Sequence, residues 1–336
     1  MGNFSSLDKS DMMVLVESFP LMLKSLKPNQ TIIQKAKSLR KSKLKGVCIV
    51  GMGGSSIAGS VCKGILQDSI DLPILIHRDY GLPRFVDKEW AVLVVSYSGN
   101  TEETISSFQE ARHRNCPVFA FTSGGRILEE APDESLQELP VGFPPRGAFP
   151  MIMALLLPIL ETLVGVDPTP MDDAAGSLAE QAKNWDSLEL SPKRIAERIL
   201  GKTSLFIGWK HLSQVAYRAK CQINENAKMA SFHAELPEAN HNEIEAIGAY
   251  EPFSIQPILL RSCFEDKTAE TRFKATAALI NETGIPPMQI KLEAKDRFSE
   301  ALCMIHFLDM VSVELAELRG VNSLEVPRIT KLKDEL

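Results

Sequence analysis

The chain has little of what marks a membrane, secreted or metal-built protein. Its longest apolar stretch, Phe149 to Leu160, is too short to span a bilayer and reads as a buried core helix with Pro158 and Glu161 at its end. The six cysteines (Cys48, Cys62, Cys116, Cys221, Cys263 and Cys303) are scattered and form no CxxC pair. That spacing argues against a disulfide framework or a cysteine metal knuckle and for reduced, buried thiols. The six histidines form no metal-ligand pattern either. No Walker lysine follows a glycine loop, which excludes a P-loop for nucleotide triphosphates. A net charge of −6 leaves no broad basic footprint for nucleic acid, although a local cationic pocket stays open. Low-complexity tracts and sequence repeats are lacking. Two targeting strings occur, Met1-Gly2 with Ser6 and Lys333-Asp334-Glu335-Leu336. The first implies the cytosol and the second a lumen, and no secretory leader opens the chain. Both read as chance matches, and the expected location is cytoplasmic, with no membrane and no nucleic-acid partner.

What remains is a soluble chain of 336 residues, enough for two ordinary domains. Residues 1–40 have helical spacing (Met12, Leu15, Phe19, Met22, then Ile32-Ile33). Val47–Val50, Pro73–Ile76, Ala91–Ser96 and Pro117–Thr122 read as strands, with helices over Ile57–Leu66 and Glu102–Arg114. A Pro- and Gly-rich loop covers 140–150. The pattern restarts with a strand at Ser204–Gly208, a helix over Ser213–Asn226, and strands at Met229–Ala234, Ile255–Leu260 and Met288–Ile290. Long helices are expected over Lys267–Glu282 and Phe298–Leu318. Strands alternating with helices imply parallel sheets. The expected organisation is a helical segment over 1–40, an α/β domain over 41–166, a helical connector over 167–200 and a second α/β domain over 201–336.

The most particular stretch is Ser96-Tyr97-Ser98-Gly99-Asn100-Thr101-Glu102-Glu103. An apolar strand ends in hydroxyls and a glycine, then enters a helix. The first-turn N–H groups of a helix lack partners and carry the positive end of its dipole, so this arrangement suits a phosphate on a small metabolite. Gly51-Met52-Gly53-Gly54-Ser55-Ser56 is a second such turn. It departs from the dinucleotide fingerprint, with Ser56 where a glycine is required and Asp79 too far along for the acidic residue. Alone it is equally a tight connection. Arg146, in Pro-Pro-Arg-Gly, is a preset guanidinium for phosphate or a developing enediolate, or else a loop salt bridge. In the second half, Glu225 stands between Asn224 and Asn226 where the helix dipole favours a cation, and a fixed carboxylate there suits proton abstraction beside a carbonyl. His241, in Asn240-His241-Asn242-Glu243, suits acid–base work on a sugar ring. Either is also compatible with ordinary surface polarity.

Together these motifs resemble the bifunctional phosphoglucose/phosphomannose isomerases, short members of the phosphoglucose isomerase superfamily built from two sugar-isomerase (SIS) domains. The resemblance runs from about residue 45 to 330 and rests above all on Asn224-Glu225-Asn226-Ala227-Lys228 and Asn240-His241-Asn242-Glu243. It implies two three-layer α/β/α SIS domains with parallel sheets, and an aldose–ketose isomerase acting on a phosphorylated hexose without metal or cofactor. It implies that Gly54, Ser55, Ser96, Ser98 and Thr101 bind substrate, that Arg146 stabilises a cis-enediolate, that Glu225 is the base, and that His241 opens the ring from the partner subunit of a homodimer. A family lysine in a final helix corresponds by spacing to Lys331, not Lys333, and Leu324 stands where the family tends to have a threonine. Rival readings are a non-catalytic SIS sugar-phosphate sensor, another SIS phosphosugar enzyme, and a nicotinamide oxidoreductase, which the glycine pattern disfavours.

Overall fold

Short apolar segments alternate with amphipathic ones, and that order folds into two separate parallel sheets flanked by helices. The structure is a computed structural model that describes residue 4 and residues 7–42 and 44–335. The Met1-Gly2-Ser6 string and the terminal Leu336 lie outside the described residues. The chain opens with α1 (Met12–Glu17), α2 (Phe19–Ser25) and α3 (Gln30–Arg40). It divides into two compact units, one formed by the stretch up to Lys9 with Ser18–Gly176, the other by Ser10–Glu17 with the chain from Ser177 onward. α1 thus belongs to the second unit, and α2 and α3 to the first.

In the first unit follow β1 (Gly46–Val50), α4 (Gly53–Leu66), β2 (Ile74–His77), β3 (Trp90–Val95), α5 (Glu102–His113), β4 (Val118–Thr122), α6 (Gly125–Glu130), β5 (Leu136–Glu138) and α7 (Phe149–Val164). The sheet is parallel throughout, in the order β2-β1-β3-β4-β5. Cys48, Val50, Val92, Val94, Val118 and Ala120 pack against Phe108 and Ala111 of α5 and Ile127 of α6. The alternate strand residues face the other way, where Lys35 of α3 lies 5.4 Å from the Phe119 ring centre and Phe19 of α2 meets Phe149 of α7 at 6.0 Å. Covered on both faces, the strands read as unbroken apolar runs. α7 is apolar all round and buried, and it continues through both Pro158 and Glu161. The Glu161 carboxylate accepts the Thr169 N–H at 3.1 and 3.2 Å, which fixes the turn after the helix. α4 starts at Gly53, four residues before the expected Ile57, because Met52 alone stays extended (φ −121°, ψ 155°). Gly54 and Ser55 are therefore first-turn helical residues.

The division falls within α8 (Met171–Ala182), and the second unit continues with α9 (Pro192–Ile199), β6 (Thr203–Trp209), α10 (His211–Asn226), β7 (Ser231–Leu236), β8 (Ile255–Arg261), α11 (Lys267–Glu282), β9 (Met288–Lys291), α12 (Arg297–Leu318) and α13 (Pro327–Glu335). Its sheet is parallel, ordered β7-β6-β8-β9. Leu205, Ile207, Trp209 and Leu259 pack against Ala269 and Phe273 of α11, while α10 lies on β6 and β7 and α12 packs against α10 and α9. β7 begins two residues later than the expected Met229, because Met229 is used to close α10: its carbonyl accepts Asn224 Nδ2 at 2.8 Å. The short α6 and a 3₁₀ stretch over Glu243–Ala249 carry too little periodicity to be legible in the sequence.

α10 and α12 are joined by a polar seam inside the apolar layer. His211 Nε2 lies 2.7 Å from Glu300 Oε2, Arg218 makes a two-pronged contact to Asp309 (3.1 and 2.6 Å), and Asn226 Nδ2 donates to Ser312 Oγ at 2.9 Å. Positions 211, 218 and 226 recur about every two helical turns, so all three face α12. Arg218 and Asp309 are both buried, so truncating one strands the other's charge. Asp309→Ala should destabilise the protein by about 3–5 kcal/mol in equilibrium urea unfolding.

His306, on α12, is buried against Trp185 at 4.9 Å. Burial pushes its pKa down to about 4 from 6.5, only partly offset by a hydrogen bond to the Val16 backbone. The unfolded chain therefore binds this proton more readily than the folded one. The contribution is fully present above pH 6.5 and is lost as pH falls toward 4, about 3 kcal/mol in all. Unfolding measured across that range should show this acid limb in the natural protein and a flatter one in His306→Phe.

Candidate active site

In the first unit β1 and β3 are neighbours, with Val50 opposite Val94, yet β1 continues into α4 on one face and β3 into α5 on the other. The loops that follow them part at the carboxyl edge of the sheet, and the crevice between two such loops is where open parallel sheets bind ligands. The 96–101 loop forms one wall. Gly99 N–H donates to the Ser96 carbonyl at 3.1 Å and to Ser96 Oγ at 3.2 Å, and Asn100 N–H donates to Ser98 Oγ at 3.3 Å. Gly99 sits at φ +68°, and a Cβ there would fall 1.8 Å from the Gly124 carbonyl oxygen, so only glycine fits. The Ser96 and Thr101 hydroxyls lie 3.5 Å apart. Thr101 is the extended N-cap of α5 and its side chain makes no cap hydrogen bond, which leaves the first-turn N–H groups and the dipole open to an anion.

The 51–56 turn forms the other wall. Ser55 Oγ accepts the Tyr97 N–H at 3.3 Å, which links the two loops. A Cβ on Gly54 would stand 3.2 Å from Arg146 Cα and 3.3 Å from Arg146 N, so the Arg146 backbone lies directly on the first turn of α4. The Arg146 side chain is itself buried. Tyr97, to which the sequence assigned no role, holds these parts together. Its hydroxyl donates to the Pro140 carbonyl at 2.6 Å and accepts the Phe143 N–H at 2.9 Å, which anchors the loop that delivers Arg146. Its carbonyl accepts from Ser123 Oγ at 2.6 Å. Arg78 was also missed: from the end of β2 it reaches Ser56 Oγ at 3.0 Å and Ser60 Oγ at 2.6 Å on α4. Gly54, Ser55, Ser96, Ser98, Thr101 and Arg146 are thus gathered within one unit from three separate segments.

The second unit has an equivalent switch between β6 and β8, but its own chain fills it. The Glu300 carboxyl group accepts from Ser262 Oγ at 2.6 Å and from the Cys263 N–H, and its Oε2 lies 2.7 Å from His211 Nε2, all at the ends of those two strands. The candidate base lies elsewhere, at the last turn of α10, where Glu225 is half-buried. The carbonyls of that turn are met by cations, as the dipole requires: Lys228 Nζ donates to the Glu225 and Asn226 carbonyls, and Arg319 to that of Ala227. His241 follows a 3₁₀ turn (Glu238–Asn240) after β7 and is exposed. α10 runs against the strands, so Glu225 stands before β7 and His241 after it. The six residues of β7 put roughly 20 Å between the two edges, and one chain does not bring Glu225 and His241 together. Lys331 and Lys333 are exposed on α13. Among the described residues no group of three or more His, Cys, Asp or Glu side chains is placed to hold a metal ion.

Residues 189–336 match the family model of the bacterial phospho-glucose isomerase C-terminal SIS domain. The bifunctional phosphoglucose/phosphomannose isomerase of Aquifex aeolicus is 36% identical over 298 residues, covering 87% of this chain and 90% of the relative. The D-glucosamine-6-phosphate 4-epimerase of Sulfolobus acidocaldarius is 34% identical over 293 residues, covering 86% of this chain and 88% of the relative. In fold, the chain is similar to the C-terminal domain of glucosamine-fructose-6-phosphate aminotransferase from Francisella tularensis, with a TM-score of 0.74 at 15% identity over 97% of this chain and 100% of that one. With parallel-sheet architecture, motif order and near full-length similarity in agreement, the chain belongs to the bifunctional phosphoglucose/phosphomannose isomerase family.

Proposed function

We propose that the protein is an aldose–ketose isomerase that interconverts fructose 6-phosphate with glucose 6-phosphate, mannose 6-phosphate or both. The observation that carries this reading is the pair of loops in the first unit, where the hydroxyls of Ser96, Ser98 and Thr101 stand at the start of α5 and the backbone of the buried Arg146 lies on the first turn of α4. Ser96, Ser98 and Thr101 hold the phosphate dianion, with Gly54 and Ser55 contacting the sugar. Glu225 takes the proton from C2 of the open aldose and the electron pair forms the C1–C2 double bond of a cis-enediolate. The same carboxylic acid then returns the proton to C1, giving the ketose, while a second proton passes between the two oxygens. Arg146 offsets the negative charge on the enediolate oxygens. Lys331 lies close to the bound substrate. His241 opens the ring, and its distance from Glu225 across β7 supports a homodimer in which the partner supplies it. A cytoplasmic location goes with this chemistry, since a sugar phosphate dianion does not cross a bilayer unaided. The similarity to a 4-epimerase of an amino-sugar phosphate supports, as second reading, epimerisation at C4 of glucosamine 6-phosphate.

EDTA-treated protein given fructose 6-phosphate should form aldose 6-phosphates, identified by NMR, and glucosamine 6-phosphate should stay unchanged; the opposite pattern establishes the second reading. Glu225→Gln keeps the carboxylate's shape without its basicity and should lower kcat by roughly 100-fold or more; near-normal turnover overturns the mechanism. Gly54→Ala pushes a methyl into the Arg146 backbone and should lower kcat/KM by about tenfold or more in the same assay.

A further inference from the structure

Lys228 is a non-glycine residue in the left-handed region, at φ +53°, immediately after α10. Glycine is the usual choice for the residue that ends a helix in this conformation, because it has no Cβ to clash. A lysine persists here only if its side chain compensates. Its ammonium donates to the Glu225 carbonyl at 2.7 Å, to the Asn226 carbonyl at 3.2 Å and to the Asn322 carbonyl at 2.6 Å. An ammonium has three protons to donate, and all three of these carbonyls lie within its hydrogen-bonding reach. Two of them are the orphan carbonyls of the turn that displays Glu225. The third belongs to the segment leading into α13, where the Asn322 side chain in turn accepts the Leu324 and Glu325 N–H groups at 2.8 and 3.2 Å. Ser312 holds the same helix end from the α12 side through Asn226.

We propose that Lys228 is a positioning residue for the reaction: it fixes the turn carrying Glu225 against the 322–325 segment, so that the carboxylate faces C1 and C2 of the substrate equally. This rests on the reading of Glu225 as the base. A base that serves two adjacent carbons returns the substrate's own hydrogen only when it delivers the proton to the second carbon faster than it exchanges with solvent. A loosened turn slows the delivery, and part of the substrate's hydrogen is then lost to water.

The test compares Lys228→Gly, Lys228→Arg, Glu225→Gln and the natural protein with fructose 6-phosphate in D₂O, following kcat, KM and the share of aldose carrying deuterium at C2. Lys228→Gly removes the ammonium and also relieves the left-handed backbone, so loss of the fold is not its expected outcome. It should lower kcat by roughly 10- to 100-fold with KM within about threefold, and raise the deuterated share. Lys228→Arg, which keeps the charge and the donors, should recover most of kcat. A Lys228→Gly protein with unchanged kcat and unchanged deuterium share overturns the proposal while leaving Glu225 as base. A fall in kcat with no change in the deuterated share, or no recovery in Lys228→Arg, also overturns it. Normal turnover by Glu225→Gln instead removes the base itself, and the positioning role with it.

Discussion

Two neighbouring parallel strands whose helices leave on opposite faces impose the constraint on which both units are built. At that divergence the backbone N–H groups of a strand end and a helix start point into one gap, and something with negative charge must meet them. The two units answer differently. In the first, the gap lies between Gly51–Ser56 and Ser96–Thr101, with hydroxyls on both loops and the Arg146 backbone against the first turn of α4. The second fills its gap from its own chain: the Glu300 carboxyl group of α12 accepts from Ser262 and the Cys263 N–H and lies against His211 Nε2. With a carboxyl group of its own chain in the second switch, the proposed chemistry of that unit lies on another surface, the far end of α10.

That far end poses the opposite electrostatic problem. A helix C-terminus carries unpaired carbonyls and partial negative charge, so a glutamate there is unfavourable unless cations accompany it. Lys228 and Arg319 accompany it, both bound to backbone carbonyls of the last turn and the residue after it. The α10–α12 seam holds the rest of the helix in register through three polar ties in an otherwise apolar layer. Such ties add little net stability over apolar packing, but removing one partner is costly, so they fix how the helices sit once formed.

The alternation of apolar runs and amphipathic stretches determined the α/β class, the parallel sheets and nearly every long element, because burial on both faces of a strand and one face of a helix is written in periodicity. It also marked the residues of the crevice, since hydroxyls and glycine between a strand and a helix have few other uses. Periodicity failed where few residues carry it, at α6, at β5 and at the 3₁₀ stretch over Glu243–Ala249. It also misplaced the start of α4, where two glycines read as loop but lie in the first turn.

Only the tertiary structure decided which distant residues meet. That Tyr97 anchors the Arg146 loop, that Arg78 reaches α4, that Glu300 fills the second switch and that Lys228 closes the Glu225 turn depend on contacts between segments far apart in the chain. A lysine, a tyrosine or a buried glutamate has the same composition and spacing whether it is solvated or paired. Its role is set by which carbonyl or hydroxyl the fold brings within about 3 Å, and that information is carried by the packing of whole elements, not by the residues beside it in sequence.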